Sequence, residues 1–211
     1  IEGGGVEKNL FIISNFIAKS LKNVYLITAS KNYNKKFNKI KIINPLFKYW
    51  QNSNRRVKYF ICLYELLKII LFDRKILVFS FQANIYCLLI CKLFNIKVLI
   101  RSNSSPSGWS KNYFKNIIFK KILKLADGII VNSLEFKKEF LNKFNIKSTC
   151  IYNPLNKNEI VKLSRLKIKF PYFQNYKKLK IINIGRFTDQ KDHITFLEAL
   201  NILKKKLNFE V

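Results

Sequence analysis

Arg186 and Lys191 lie in the stretch 181–193, IINIGRFTDQKDH, and their side chains suit one chemistry, the binding of an anion. A guanidinium forks two hydrogen bonds to a phosphate, and an ammonium adds a mobile point charge. The stretch also supplies elements to hold them. Residues 181–184 read as a buried strand, Gly185 punctuates it, and an amphipathic helix opens soon after Lys191. Ligands of open α/β sheets sit outside the carboxyl ends of strands. A helix start adds free N–H groups and a partial positive charge. Gly185, Arg186 and Lys191 therefore make a candidate diphosphate site. A plainer reading stands beside it. Of the 211 residues, 40 are Lys or Arg, so two cations in one loop are commonplace in this chain.

Upstream, the hydropathy pattern alternates strands with helices. Residues 24–29 and 40–43 read as strands. Strand 76–81, helix 85–94 and strand 97–101 form a βαβ unit, which implies a parallel sheet. Right-handed crossovers then make the domain doubly wound. Residues 112–125 read as a basic amphipathic helix. Its stripe of Phe114, Ile117, Ile118, Ile122 and Leu125 is expected to pack inward, with Lys115, Lys120, Lys121 and Lys124 flanking it. Strand 129–131, helix 134–144 and strand 149–152 follow. This order brings Arg101, Asn103, Asn132, Ser133 and Asn153 to strand ends, where polar groups can meet a ligand. Structural alternatives are a polar loop turned by Pro106 and a helix cap at Ser133.

At the start, Gly3, Gly4 and Gly5 feed a helix with Glu7 in its first turn, where the helix dipole favours an anion. Glycines let a backbone approach a ligand closely, although a plain turn explains them as well. Residues 155–178 have no clean periodicity and read as a linker with a peripheral helix.

Composition narrows the partners. The formal charge of +28 points to nucleic acid or to an anionic membrane surface. Abundant Lys, Asn and Ile with scarce Arg is also what AT-rich coding produces. Nucleic acid is disfavoured, because no helix-turn-helix, zinc finger or RNP-type strand is present. Residues 47–60, FKYWQNSNRRVKYF, mix aromatics with cations and suit either a headgroup layer or a solvated loop. Cys87 and Cys91 fall on an apolar helical face and read as core. With one histidine in the chain no metal site is expected, and reduced cytosolic thiols fit best. Methionine is absent and the chain opens within its own pattern, so it reads as a fragment open at both ends.

Four stretches and one dipeptide together resemble one family. IGRFTDQKDHITFLEAL resembles the opening of the second domain of family 4 glycosyltransferases, which have the GT-B fold. GGGVEKNLFIISNFIAK resembles their first loop and helix, Gly-Gly-x-Glu, at Gly4, Gly5 and Glu7. SFQANIYCLLICKLFNIKVLIRSNSSP resembles a later part of their first domain, closest to members that handle N-acetylated hexosamines, and ADGIIVNSLEFKKEF resembles the last strand and helix of that domain. Asn153-Pro154 resembles the crossing between the domains.

The resemblance implies an α/β GT-B chain. Its Rossmann-like acceptor domain would cover 1–154 without the first strand, its linker 155–178, and the start of a donor-binding domain 179–211. It implies transfer of a sugar, with retention, from a nucleotide-diphosphate sugar, a UDP-sugar being the expected donor. The acceptor would be a lipid-linked or polysaccharide glycan of the cell envelope, such as lipopolysaccharide. No metal cofactor is implied, and the enzyme would sit peripherally at the cytoplasmic face of an anionic inner membrane. Arg186 and Lys191 would hold the donor diphosphate. The family's Glu-x7-Glu pair would fall beyond Val211, so these 211 residues alone are expected to be inactive. The alternative is a non-catalytic basic α/β module on anionic membrane.

Overall fold

Amphipathic helices alternate with short apolar strands, and the strands pair in parallel. The computed structural model describes residues 5–29, 39–45, 50, 52–106, 112–167 and 179–210. Helix α1 (Gly5–Ser20), strands β1 (Val24–Ile27) and β2 (Ile40–Ile43), and helix α2 (Arg55–Phe72) come first. A regular alternation follows: β3 (Leu77–Ser80), α3 (Asn84–Leu93), β4 (Lys97–Ser102), α4 (Tyr113–Leu123), β5 (Gly128–Val131), α5 (Leu134–Phe144) and β6 (Thr149–Cys150). Helix α6 (Lys157–Ser164), β7 (Leu179–Lys180), α7 (His193–Leu203) and β8 (Phe209–Glu210) complete the elements. The chain divides into two compact units, Ile1–Asn156 and Lys157–Val211.

In the first unit, β3, β4, β5 and β6 lie in sequence order in one parallel sheet, and β1 and β2 form a separate parallel pair. Parallel neighbours cannot be joined by a hairpin, so each step needs a crossover; α3, α4 and α5 supply them. Val98 and Ile100 of β4 share one face with Ile129 and Val131 of β5, because alternate residues point the same way. Against that face pack Leu66 and Ile70 of α2, Leu88 and Cys91 of α3, Leu123 of α4, and Phe140 and Phe144 of α5. These four helices therefore share a single core.

Local chemistry fixes the junctions. The Ser133 hydroxyl accepts the Phe136 N–H at 3.1 Å and opens α5, and Asn112 Oδ1 does the same for Lys115 N–H at 3.2 Å in α4. Asn145, at φ 52°, ends α5 in the left-handed conformation that asparagine tolerates. At Gly128 an added Cβ would stand 2.7 Å from the Leu99 side chain, so a residue with no side chain lets β5 approach β4.

The structure corrects three expectations. The stripe of α4 that meets the core is Phe119, Ile122, Leu123 and Ala126, whereas Phe114, Ile118 and Leu125 are exposed. The helix is apolar on two faces, and the sheet takes the other one. Residues 181–184 are not a strand: the ladder pairs Leu179 with Phe209 and Lys180 with Glu210, and Ile184 is 91% exposed. Apolar composition suits a strand, but a strand forms only where a neighbour supplies partners. The last strand of the first unit is shorter than 149–152, since its pairing with β5 stops at Cys150.

Candidate functional site

The carboxyl edge of the four-stranded sheet gathers most of the candidate residues of the first unit. Ser80 ends β3, and its hydroxyl lies 2.8 Å from both Gln82 O and Asn84 Oδ1, donating to one at a time. Asn84 Nδ2 donates to Arg101 O at 3.0 Å, and Asn103 Nδ2 donates to Phe81 O at 3.2 Å. The ends of β3 and β4 are thus stitched together by side chains. Between them Ala83 holds φ 55° with no side-chain amide or carboxylate to favour it.

Arg101 reaches farther. Its Nη2 donates to Ile151 O and to Asn153 Oδ1, each at 3.0 Å, so it spans from β4 past β5 to the segment leaving β6. The residue is 1% exposed, and its Nε–H is buried without a hydrogen-bond partner among the described residues. Burial lowers the guanidinium below its ordinary pKa. The structure therefore brings Arg101 and Asn153 into direct contact, but as an internal tie rather than as an open cation. Asn132 Oδ1 and Asn103 Oδ1 are buried without a hydrogen-bond partner among the described residues, and Ser133 is used as the cap of α5. Glu7 is buried on α1, Gly5 stands at its start with open space around it, and Gly4 lies outside the described residues.

The second unit holds the other candidate. After β7 the chain runs without regular structure to a 3-10 turn, Asp189–Lys191, and then enters α7. His193 organises this loop. Its Nδ1 lies 3.1 Å from Asn183 Nδ2, and its Nε2 lies 2.9 Å from Arg186 O. The carbonyl at Nε2 calls for a proton on that nitrogen, and the Asn183 amide faces Nδ1. Thr188 N–H also donates to Arg186 O at 2.9 Å, and Lys191 N–H to Thr188 O at 2.8 Å. Phe187 stacks on His193 with ring centroids 5.0 Å apart.

Above this fixed backbone the Arg186 and Lys191 side chains are exposed, and among the described residues neither is in an ion pair. A Cβ at Gly185 would meet Lys191 Cγ and His193 Cε1 at 3.4 Å, which places the stem of Lys191 beside Gly185. The helix start contributes less than expected. The Asp192 carboxylate caps α7 by accepting the Thr195 N–H at 3.3 Å, so one of its free donors is already spent on an anion.

Sequence reasoning passed over His193 and Asn84 as organisers. Only their contacts mark them, since Asn183 and Arg186 lie in an irregular loop and Asn84 and Arg101 stand 17 residues apart on different elements. Cys87 and Cys91 are buried in the core with Sγ atoms 4.0 Å apart, and no metal-holding cluster occurs among the described residues. The fold and these contacts define an α/β protein built on parallel sheets. No family model matches the chain, and no curated protein matches it.

Proposed function

We infer that the chain belongs to a retaining glycosyltransferase of the GT-B type that draws on a nucleotide-diphosphate sugar. Its first unit would present the acceptor, a lipid-linked or polysaccharide glycan, and the loop 183–193 would belong to the donor side. One observation carries the reading. Arg186 and Lys191 project from a loop whose backbone is held by His193 and by its own turn, with no ion-pair partner among the described residues. Free cations on a fixed backbone suit a diphosphate, and a leaving diphosphate gains negative charge that such preorganised groups stabilise. The work site is the anionic inner face of a membrane.

The test is titration with UDP, followed by amide chemical shifts. Shifts should concentrate on residues 183–193, and Arg186→Ala should lower the affinity by about ten-fold or more, the loss typical of a charge-assisted bond. Shifts spread over the whole basic surface, or equal affinity in Arg186→Ala, would overturn the assignment. In that case the non-catalytic membrane module becomes the better account.

A further inference from the structure

Helices α2, α3 and α4 lie side by side, with α3 touching both neighbours, and their inner faces meet in one core. Their outer faces would ordinarily be polar. On α2, Phe60 and Tyr64 stand one turn apart, 71% and 61% exposed, and Leu71 continues the line. On α3, Leu89 and the 78% exposed Leu93 are again one turn apart. On α4, Phe114 is 75% exposed and Ile118 follows at the next turn. A single exposed apolar residue needs no explanation, but aligned stripes on three adjacent helices mark an interaction surface.

Charge selects the occupant. Glu65 is the one acid in α2, α3 and α4, and it is buried against Lys68 at 2.6 Å. Arg56 precedes Phe60 by one turn, and Lys68 follows Tyr64 with its ammonium 5.1 Å from the ring centroid. Lys115 and Lys121 flank the stripe of α4. A second copy of the chain would set these cations against themselves. Nucleic acid offers phosphates and base planes, but nothing for Leu71, Leu89, Leu93 and Ile118. An anionic bilayer surface offers acyl chains to the stripes and lipid phosphates to the cations.

We propose that the outer face of α2, α3 and α4 is a docking face for an anionic lipid bilayer. It lies flat on the membrane, with its aromatic and aliphatic stripes at the boundary between headgroups and acyl chains. No helix among the described residues is long and apolar enough to cross, so this face rests on the bilayer. The proposal depends on the membrane location in the reading above and not on sugar transfer.

Co-sedimentation with phosphatidylcholine vesicles, with and without phosphatidylglycerol, tests it on the full chain. Wild type should pellet strongly with the anionic vesicles and only weakly with pure phosphatidylcholine. The pairs Phe60→Ser/Tyr64→Ser, Leu89→Ser/Leu93→Ser and Phe114→Ser/Ile118→Ser remove exposed side chains, so circular dichroism should stay unchanged. Each pair should lower partitioning by about ten-fold or more. Unchanged partitioning in all three overturns the face, since the cations alone would then bind. A dimer in ultracentrifugation that these substitutions dissolve, or DNA binding that they abolish, also overturns it by naming another occupant. Loss of the UDP response with vesicle binding intact removes the transferase and leaves the face standing. The reverse result removes the face alone.

Discussion

Arg101 is a cation withdrawn from water to hold three strands in place. Its two hydrogen bonds go to neutral acceptors, Ile151 O and Asn153 Oδ1, and it is in no ion pair among the described residues. Such an arrangement is costly to assemble and costlier to break. Arg101→Ala would leave both acceptors unpaired and open a cavity at the sheet edge. The expected loss is about 2–4 kcal/mol, read from the shift in denaturant midpoint. Arg101→Lys should recover little, since an ammonium cannot reproduce the guanidinium fork. Ala83 works in the opposite direction. At φ 55° an alanine is strained where glycine is not, so Ala83→Gly should raise stability by about 0.5–1 kcal/mol in the same assay. If the substitution destabilises instead, the turn between β3 and α3 needs the Ala83 side chain.

At the level of elements, Asp127 fastens the start of β5 to its neighbours. Its carboxylate accepts the Val98 N–H at 2.7 Å and the Lys92 ammonium at 2.6 Å, and these hold its pKa below the ordinary aspartate value, Lys92 foremost. A depressed folded-state pKa means stability that is present above the unfolded value and lost as pH falls through the folded one. Asp127→Asn should therefore cost about 1 kcal/mol at pH 7, a modest figure because the carboxylate is partly exposed. The gap between wild type and variant should begin to narrow as pH falls past about 4, the ordinary aspartate value, and close only below the depressed folded value, where both carry a neutral side chain. A gap that persists at low pH would mean the hydrogen bond to Val98 outweighs the charge. The alternation of β3, α3, β4, α4, β5 and α5 was legible because each element has its own hydrophobic period and Ser133 marks the start of α5. The inner face of α4 was not, because Phe114–Ile118 and Phe119–Ile122–Leu123 are both apolar stripes and only the sheet chooses between them. Strand β7 was misplaced for a related reason: its ladder partner lies some thirty residues on, at Phe209–Glu210, and no local pattern points there. At the site, residue types marked Arg186 and Lys191, but the bonds of His193 that fix their loop depend on coordinates.

For the whole molecule, the charge of +28 acts on stability and on association with opposite signs. Like charges repel across the folded surface, and salt relieves this by shortening the screening length from about 30 Å at 0.01 M to about 8 Å at 0.15 M. The thermal midpoint should therefore rise by about 2–4 °C over that range, as an effect near 1 kcal/mol would produce. Attraction to anionic vesicles should weaken over the same range, because it draws on the same lysines. The apolar stripes of α2, α3 and α4 predict one further difference: partitioning should level off at high salt rather than vanish, since insertion of Phe60, Leu93 and Phe114 is not screened. Partitioning that falls to zero at 1 M salt would reduce the membrane contact to charge alone. A midpoint indifferent to salt would mean the cations are spaced too widely to repel, and the excess of lysine would then reflect coding bias rather than a stored repulsion that a membrane relieves.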